Sequence, residues 1–161
     1  MTQEADRERF RIPKLSVPVL CHTVQHEKIN GQIFLDVVES TLGILQHMLD
    51  FFNSSPPFFP IRVGESQNPV LLSKSAIARV DILQSIEDSE VEMLGMVSKK
   101  KEAILHMNEL DTTRAYLVLD LPSSYSRILD LLNMRRPFLI AVIENSYVLL
   151  NSRHIYKIEE P

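Results

Sequence analysis

The chain has 161 residues and a net charge of −4, the size of one ordinary domain or two small ones packed together. Apolar residues make up 45% and charged residues 24%, which excludes a chain disordered throughout, and the acidic excess excludes a whole-molecule basic field for nucleic acid. A single cysteine, Cys21, excludes an internal disulfide and a multi-cysteine zinc site.

Residues 1–15 read as a flexible charged arm, with Pro13 opposing a helix through it. The arm has no apolar stretch of the signal-peptide kind. No later run approaches the roughly 20 apolar residues that span a bilayer. The expectation is a soluble cytoplasmic protein that does not insert into a membrane.

Residues 16–82 form a first unit. A strand is expected from Val17 to His26, a turn at Asn30-Gly31, and a returning strand from Gln32 to Val38. Ser40 can cap a helix running to Phe52. Leu42, Leu45, Met48, Leu49 and Phe52 recur on it at helical spacing. Asn53 suits a left-handed helix end. Two further strands are expected, Phe58 to Val63 and Val70 to Ile82, with Gly64, Asn68 and Pro69 in the connection. Residues 83–102, acidic and then basic through Lys99-Lys100-Lys101, read as a solvated connector.

Residues 103–161 form a second unit in the same order. Ala103 to Asn108 and Ala115 to Leu121 make a hairpin. Ser123 or Ser124 caps a short helix whose face is Tyr125, Ile128, Leu129 and Leu132. Phe138 to Ile143 and Tyr147 to Leu150 pair through a turn at Glu144-Asn145-Ser146, and Ile155 to Ile158 ends the unit. The run Phe138 to Ile143 is apolar throughout and reads as a strand buried on both faces. Pro60 and Arg62 place its counterpart nearer an edge.

The units match in sequence. Leu49-Asp50-Phe51-Phe52-Asn53 recurs 80 residues later as Leu129-Asp130-Leu131-Leu132-Asn133, and Pro57-Phe58-Phe59 as Pro137-Phe138-Leu139. Val70-Leu71-Leu72 recurs 78 residues later as Val148-Leu149-Leu150. At that offset Ile77, Arg79 and Val80 fall on Ile155, Lys157 and Ile158. Leu35-Asp36 recurs 84 residues later as Leu119-Asp120. The expected class is α+β: two tandem β-rich repeats, each a hairpin, a short helix and two or three strands, packed about a pseudo-twofold axis.

Little of the chain reads as reaction chemistry. His22 and His26, four apart on one expected strand, lie about 13 Å from each other, too far to share a metal. Four glycines do not build a phosphate loop. Asp36, Asp120, Asp50 and Asp130 read as turn, cap and solvent-side residues. No cofactor, metal site or catalytic residue is expected.

Two resemblances bear on function. The lead Arg7-Glu8-Arg9-Phe10-Arg11, followed by Asp36, Ser40 and Gly43, is similar to the PilZ family, which binds a cyclic dinucleotide through an arginine-rich lead and an Asp-x-Ser-x-x-Gly turn. That resemblance implies a nucleotide or other anion held by the N-terminal arginines. Here Val37-Val38-Glu39 separate Asp36 from Ser40, more than the motif allows. The second resemblance covers 113–158 well and 32–80 more loosely. Its pattern is Leu-Asp-Leu-Leu-Asn, then Pro-Phe, then Val-Leu-Leu-Asn, and it resembles an uncharacterised bacterial family of small β-rich domains. It implies a bacterial origin and carries no functional residues.

The expectation is therefore a non-enzymatic protein-interaction module, an adaptor or assembly factor. Its partner is another protein, and homo-oligomerisation stays open. The candidate partner surface is Arg7, Arg9, Arg11, Phe58 and Arg62, because an exposed strand edge offers unpaired backbone groups and a free arm can order on binding. Arg135 and Arg136 are an alternative anion site. Lys99 to Lys101 is too short, beside acidic residues, to favour nucleic acid.

Overall fold

The computed structural model describes residues 14–36, 43–86, 99–108, 110–119 and 127–161. In chain order the strands are β1 (Lys14–Thr23), β2 (Lys28–Asp36), β3 (Phe58–Ile61), β4 (Val70–Ser73), β5 (Ile77–Ile82), β6 (Lys99–Met107), β7 (Thr113–Leu119), β8 (Phe138–Ile143), β9 (Ser146–Asn151) and β10 (Ile155–Glu159). Helix α1 (Ile44–Asn53) follows β2 and helix α2 (Ile128–Leu132) precedes β8. Single 3-10 turns, Lys74–Ala76 and Ser152–His154, join β4 to β5 and β9 to β10.

Eight strands form one antiparallel sheet in the order β10-β6-β7-β8-β9-β5-β1-β2, and β3 and β4 form a small sheet of their own. A single bridge, Gln32 to Arg62, links β2 to the end of β3. The chain is thus β-dominated, with few helices.

Alternation along the strands sorts the apolar residues into two cores. Val17, Val19 and Cys21 of β1, with Ile33 and Leu35 of β2, enter the first; Ala103, Leu105 and Met107 of β6 enter the second. Strand β8 feeds both. Phe138 and Ile140 join the first core, and Leu139, Ala141 and Ile143 the second, so the two cores lie on opposite faces of the sheet. This is why the run is apolar at every position.

Helix α1 covers the first core with Leu45, Met48, Leu49 and Phe52, one face at helical spacing. The Phe52 ring meets Phe59 edge-on at 5.3 Å and Phe138 at 4.9 Å. Two polar contacts hold its C-terminal end. Asn53 donates from Nδ2 to the Phe138 carbonyl at 3.1 Å and accepts from the Phe138 N–H at 2.8 Å. Lys74, buried in the 3-10 turn, donates from Nζ to the carbonyls of Phe51 and Ser54 at 2.6 and 2.8 Å and lies over the Phe51 ring. Its burial lowers the ammonium pKa, and the negative end of the helix is a favourable place for that charge.

Several expectations change. Asn30-Gly31 lies inside β2, not at a turn; the chain reverses at Val24–Glu27, with His26 at φ 61°. Gly31 is required by close approach: a Cβ there would stand 2.7 Å from Ile61 Cγ1 and press on the Arg62 carbonyl. Asn53 is the last helical residue, not a left-handed one. The expected strand Val70 to Ile82 is broken by the turn that buries Lys74. In α2 the buried residues are Ile128 and Leu131, while Leu129 is 56% exposed, so its expected face was rotated. Lys99 to Lys101 open β6 and are not connector. Ser40, Leu42, Ser123, Ser124 and Tyr125 lie outside the described residues.

Candidate functional site

Among the described residues, the β3–β4 hairpin carries an exposed apolar face. Register places Phe58 opposite Ser73, Phe59 opposite Leu72, Pro60 opposite Leu71 and Ile61 opposite Val70. Phe59 and Ile61 point into the first core and are buried. Phe58, Pro60, Leu71 and Ser73 share the other face. On it Phe58 is 58% and Leu71 67% exposed, diagonal neighbours across the two strands. Large apolar side chains gathered on one exposed face mark an interaction surface more often than singly scattered ones do.

Arg62 borders this hairpin. Its backbone exchanges both hydrogen bonds with Gln32, at 2.9 and 3.0 Å, and its guanidinium stacks 4.7 Å over the Phe34 ring. Stacking fixes the group while leaving it exposed. Of the expected partner residues, Phe58 and Arg62 are thus brought to one region. Arg7, Arg9 and Arg11 lie outside the described residues. Of the alternative anion pair, Arg135 is exposed with φ 59° and Arg136 is half-buried, its carbonyl accepting from Ser152 Oγ at 3.1 Å. The two are not an equivalent exposed pair. Asp36 of the PilZ-like motif is engaged by Lys14, and Ser40 lies outside the described residues.

Two polar clusters were not evident in the sequence. In the first, Asp81 accepts from His22 Nε2 at 2.8 Å and from Arg79 Nε at 2.5 Å, all three largely buried. Burial by itself raises the Asp81 carboxyl, but the hydrogen bonds from His22 and Arg79, with the Arg79 charge, outweigh it and hold the pKa below the usual value. In the second, Glu159 meets His106 Nε2 at 2.7 Å and Lys157 at 3.6 Å, and Thr112 Oγ1 lies 3.2 Å from His106 Nδ1. This cluster is more exposed. The sequence signal was there: His22 and His106 are 84 apart, Asp81 and Glu159 are 78 apart.

Beside the first cluster is a cavity of about 240 Å³ lined by Leu105 and Met107 and by the polar residues His22, Lys28, Arg79 and Asp111, among others. Its charged lining residues are Lys28, Arg79 and Asp111, and Arg79 is engaged by Asp81 of the adjoining cluster. Cys21 lies in the first core. Burial, helped by the Asp81 charge, pushes its thiol up to about 12, so it is not a thiolate nucleophile at neutral pH. Among the described residues no helix is long and apolar enough to cross a membrane.

Comparison of the chain with protein-family models, curated proteins and solved structures gives no match.

Proposed function

We propose that the chain is a non-enzymatic protein-interaction module made of two copies of one β-rich unit, and that a partner protein docks on the outer face of β3–β4. Contacts recurring at the sequence offsets support the duplication. Val24 N–H bonds the Ala76 carbonyl at 2.9 Å, and Asn108 N–H the His154 carbonyl at 2.9 Å. Lys74 N–H bonds the Pro57 carbonyl at 2.8 Å, and Ser152 N–H the Pro137 carbonyl at 2.7 Å. Gln32 stands opposite Arg62, and Tyr116 opposite Val142. The His22–Arg79–Asp81 cluster has its counterpart in His106–Lys157–Glu159. A pseudo-twofold relation is supported by one contact between nearly equivalent positions, His154 Nε2 to the Ser75 carbonyl at 2.8 Å.

Two copies free one of them to diverge. In the second unit β8–β9 is covered, because β5 pairs with β9 and α1 packs on β8. In the first unit the equivalent hairpin keeps an open outer face. The observation that carries the reading is the pair Phe58 and Leu71, apolar and exposed where their counterparts Phe138 and Leu149 are buried. The N-terminal arginines Arg7, Arg9 and Arg11, outside the described residues, are proposed to add to partner binding.

The test is capture from cells that make the protein, comparing the wild type with Phe58→Ser/Leu71→Ser and with a chain lacking residues 1–12. The reading predicts a set of proteins retained by the wild type and lost from the double variant, with circular dichroism unchanged. The same retained set for all three chains would refute it.

A further inference from the structure

We infer that the chain pairs with a second copy of itself, β10 of one copy adding antiparallel to the free edge of β4 in the other. The inference rests on the duplication just proposed, and it names one partner of the first unit's uncovered hairpin.

The template lies within the chain. Strand β5 pairs with β9 so that Arg79 stands opposite Leu150, Val80 opposite Leu149 and Asp81 opposite Val148. At the 78-residue offset β5 corresponds to β10, and β4 to β9. The same three pairs become Lys157 with Leu72, Ile158 with Leu71 and Glu159 with Val70. Among the described residues neither strand has a ladder on its outer edge: β10 ends the large sheet and β4 ends the small one.

The residues fit that pairing. Arg79-Val80-Asp81 and Lys157-Ile158-Glu159 share one pattern, a cation and an anion flanking an aliphatic residue. On the receiving side Val148 and Leu149 are fully buried under the β5 junction, whereas Val70 and Leu71 are 45% and 67% exposed. Edge strands are ordinarily protected from pairing by charge or proline, and β4 (Val-Leu-Leu-Ser) carries neither. Each copy holds one β10 and one β4, so two copies about a twofold axis make both junctions at once and the assembly closes as a dimer. The competitor is closure of β10 onto β4 within one chain, since the turns that root them touch through His154 and Ser75.

The full chain carrying Val70→Cys together with Glu159→Cys tests the register, because these positions are opposite in the proposed ladder. Mild oxidation should give a reducible covalent dimer. An equal mixture of the two single variants should cross-link as well, and neither single variant alone should. Cys21 is buried and does not compete. An intrachain disulfide, or no cross-link, overturns the inference. In sedimentation the wild type should reach a dimer below millimolar concentration, and Leu71→Lys should weaken association by about tenfold or more with the fold intact. A wild type that stays monomeric overturns the pairing. It leaves the docking face standing if Phe58→Ser still abolishes capture of the partner, so the two readings fail separately.

Discussion

Replacing Asn53 with alanine removes both hydrogen bonds that tie the end of α1 to the first residue of β8. The Asn53 amide and the Phe138 peptide group meet at 3.1 and 2.8 Å, donor to acceptor in each direction. A net hydrogen bond contributes about 1 kcal/mol, and a partly buried group left unpaired adds a desolvation cost of similar size. Because the site is only part-buried, water recovers some of that cost, and the expected loss for Asn53→Ala is about 2–3 kcal/mol. Asn53→Asp keeps the acceptor but sets a carboxylate against the Phe138 carbonyl, so it recovers at most one bond. Asn133, which follows Asn53 by 80 residues, is exposed and shares no side-chain hydrogen bond with another described residue. Asn133→Ala should therefore change stability by less than about 0.5 kcal/mol. Urea unfolding with linear extrapolation measures both. Equal losses, or a loss at Asn53 below about 0.5 kcal/mol, would show that the clasp does not hold helix to sheet.

The adjacent aromatics should separate in the same assay. Phe59→Ala empties a core position packed against Phe51 and Phe52 and should cost about 3–5 kcal/mol, whereas Phe58→Ala should stay within about 0.5 kcal/mol. Gly31→Ala forces a methyl into Ile61 and the Arg62 carbonyl, and should cost about 1–3 kcal/mol and raise hydrogen exchange at the Gln32 and Arg62 amides. Asp81 titrates lower in the folded chain than in the unfolded one. Its contribution is complete above the unfolded value of about 3.9 and is lost as pH falls through the folded value. Asp81→Asn should therefore flatten the acid side of the stability profile; an unchanged acid slope would refute the assignment.

Strand β8 was legible to the residue because a strand buried on both faces leaves an uninterrupted apolar run. Leu45, Met48, Leu49 and Phe52 were legible because three turns of helix define a face. A helix of one and a half turns does not, and Leu129 was misplaced beside Leu131. Asn30-Gly31 misled because glycine serves close approach as readily as a turn, and only the position of β3 tells the two apart. The break at Lys74 was hidden because a lysine among alternating residues reads as solvent-facing, while here it caps a helix 20 residues earlier in the chain. Pro60 and Arg62 pointed to an edge strand, but the sequence left open whether Phe58 fills the core with Phe59; in the structure Phe58 is exposed and Phe59 buried. The polar cluster at Asp81 was missed because His22 and Asp81 meet only through strand register, 59 residues apart.

Hydrogen exchange of the chain alone and in complex with its captured partner tests the docking surface most directly. New amide protection is expected within Phe58–Ser73, with β6 and β7 unchanged. Protection gained elsewhere while Phe58–Ser73 exchanges as in the free chain would contradict it.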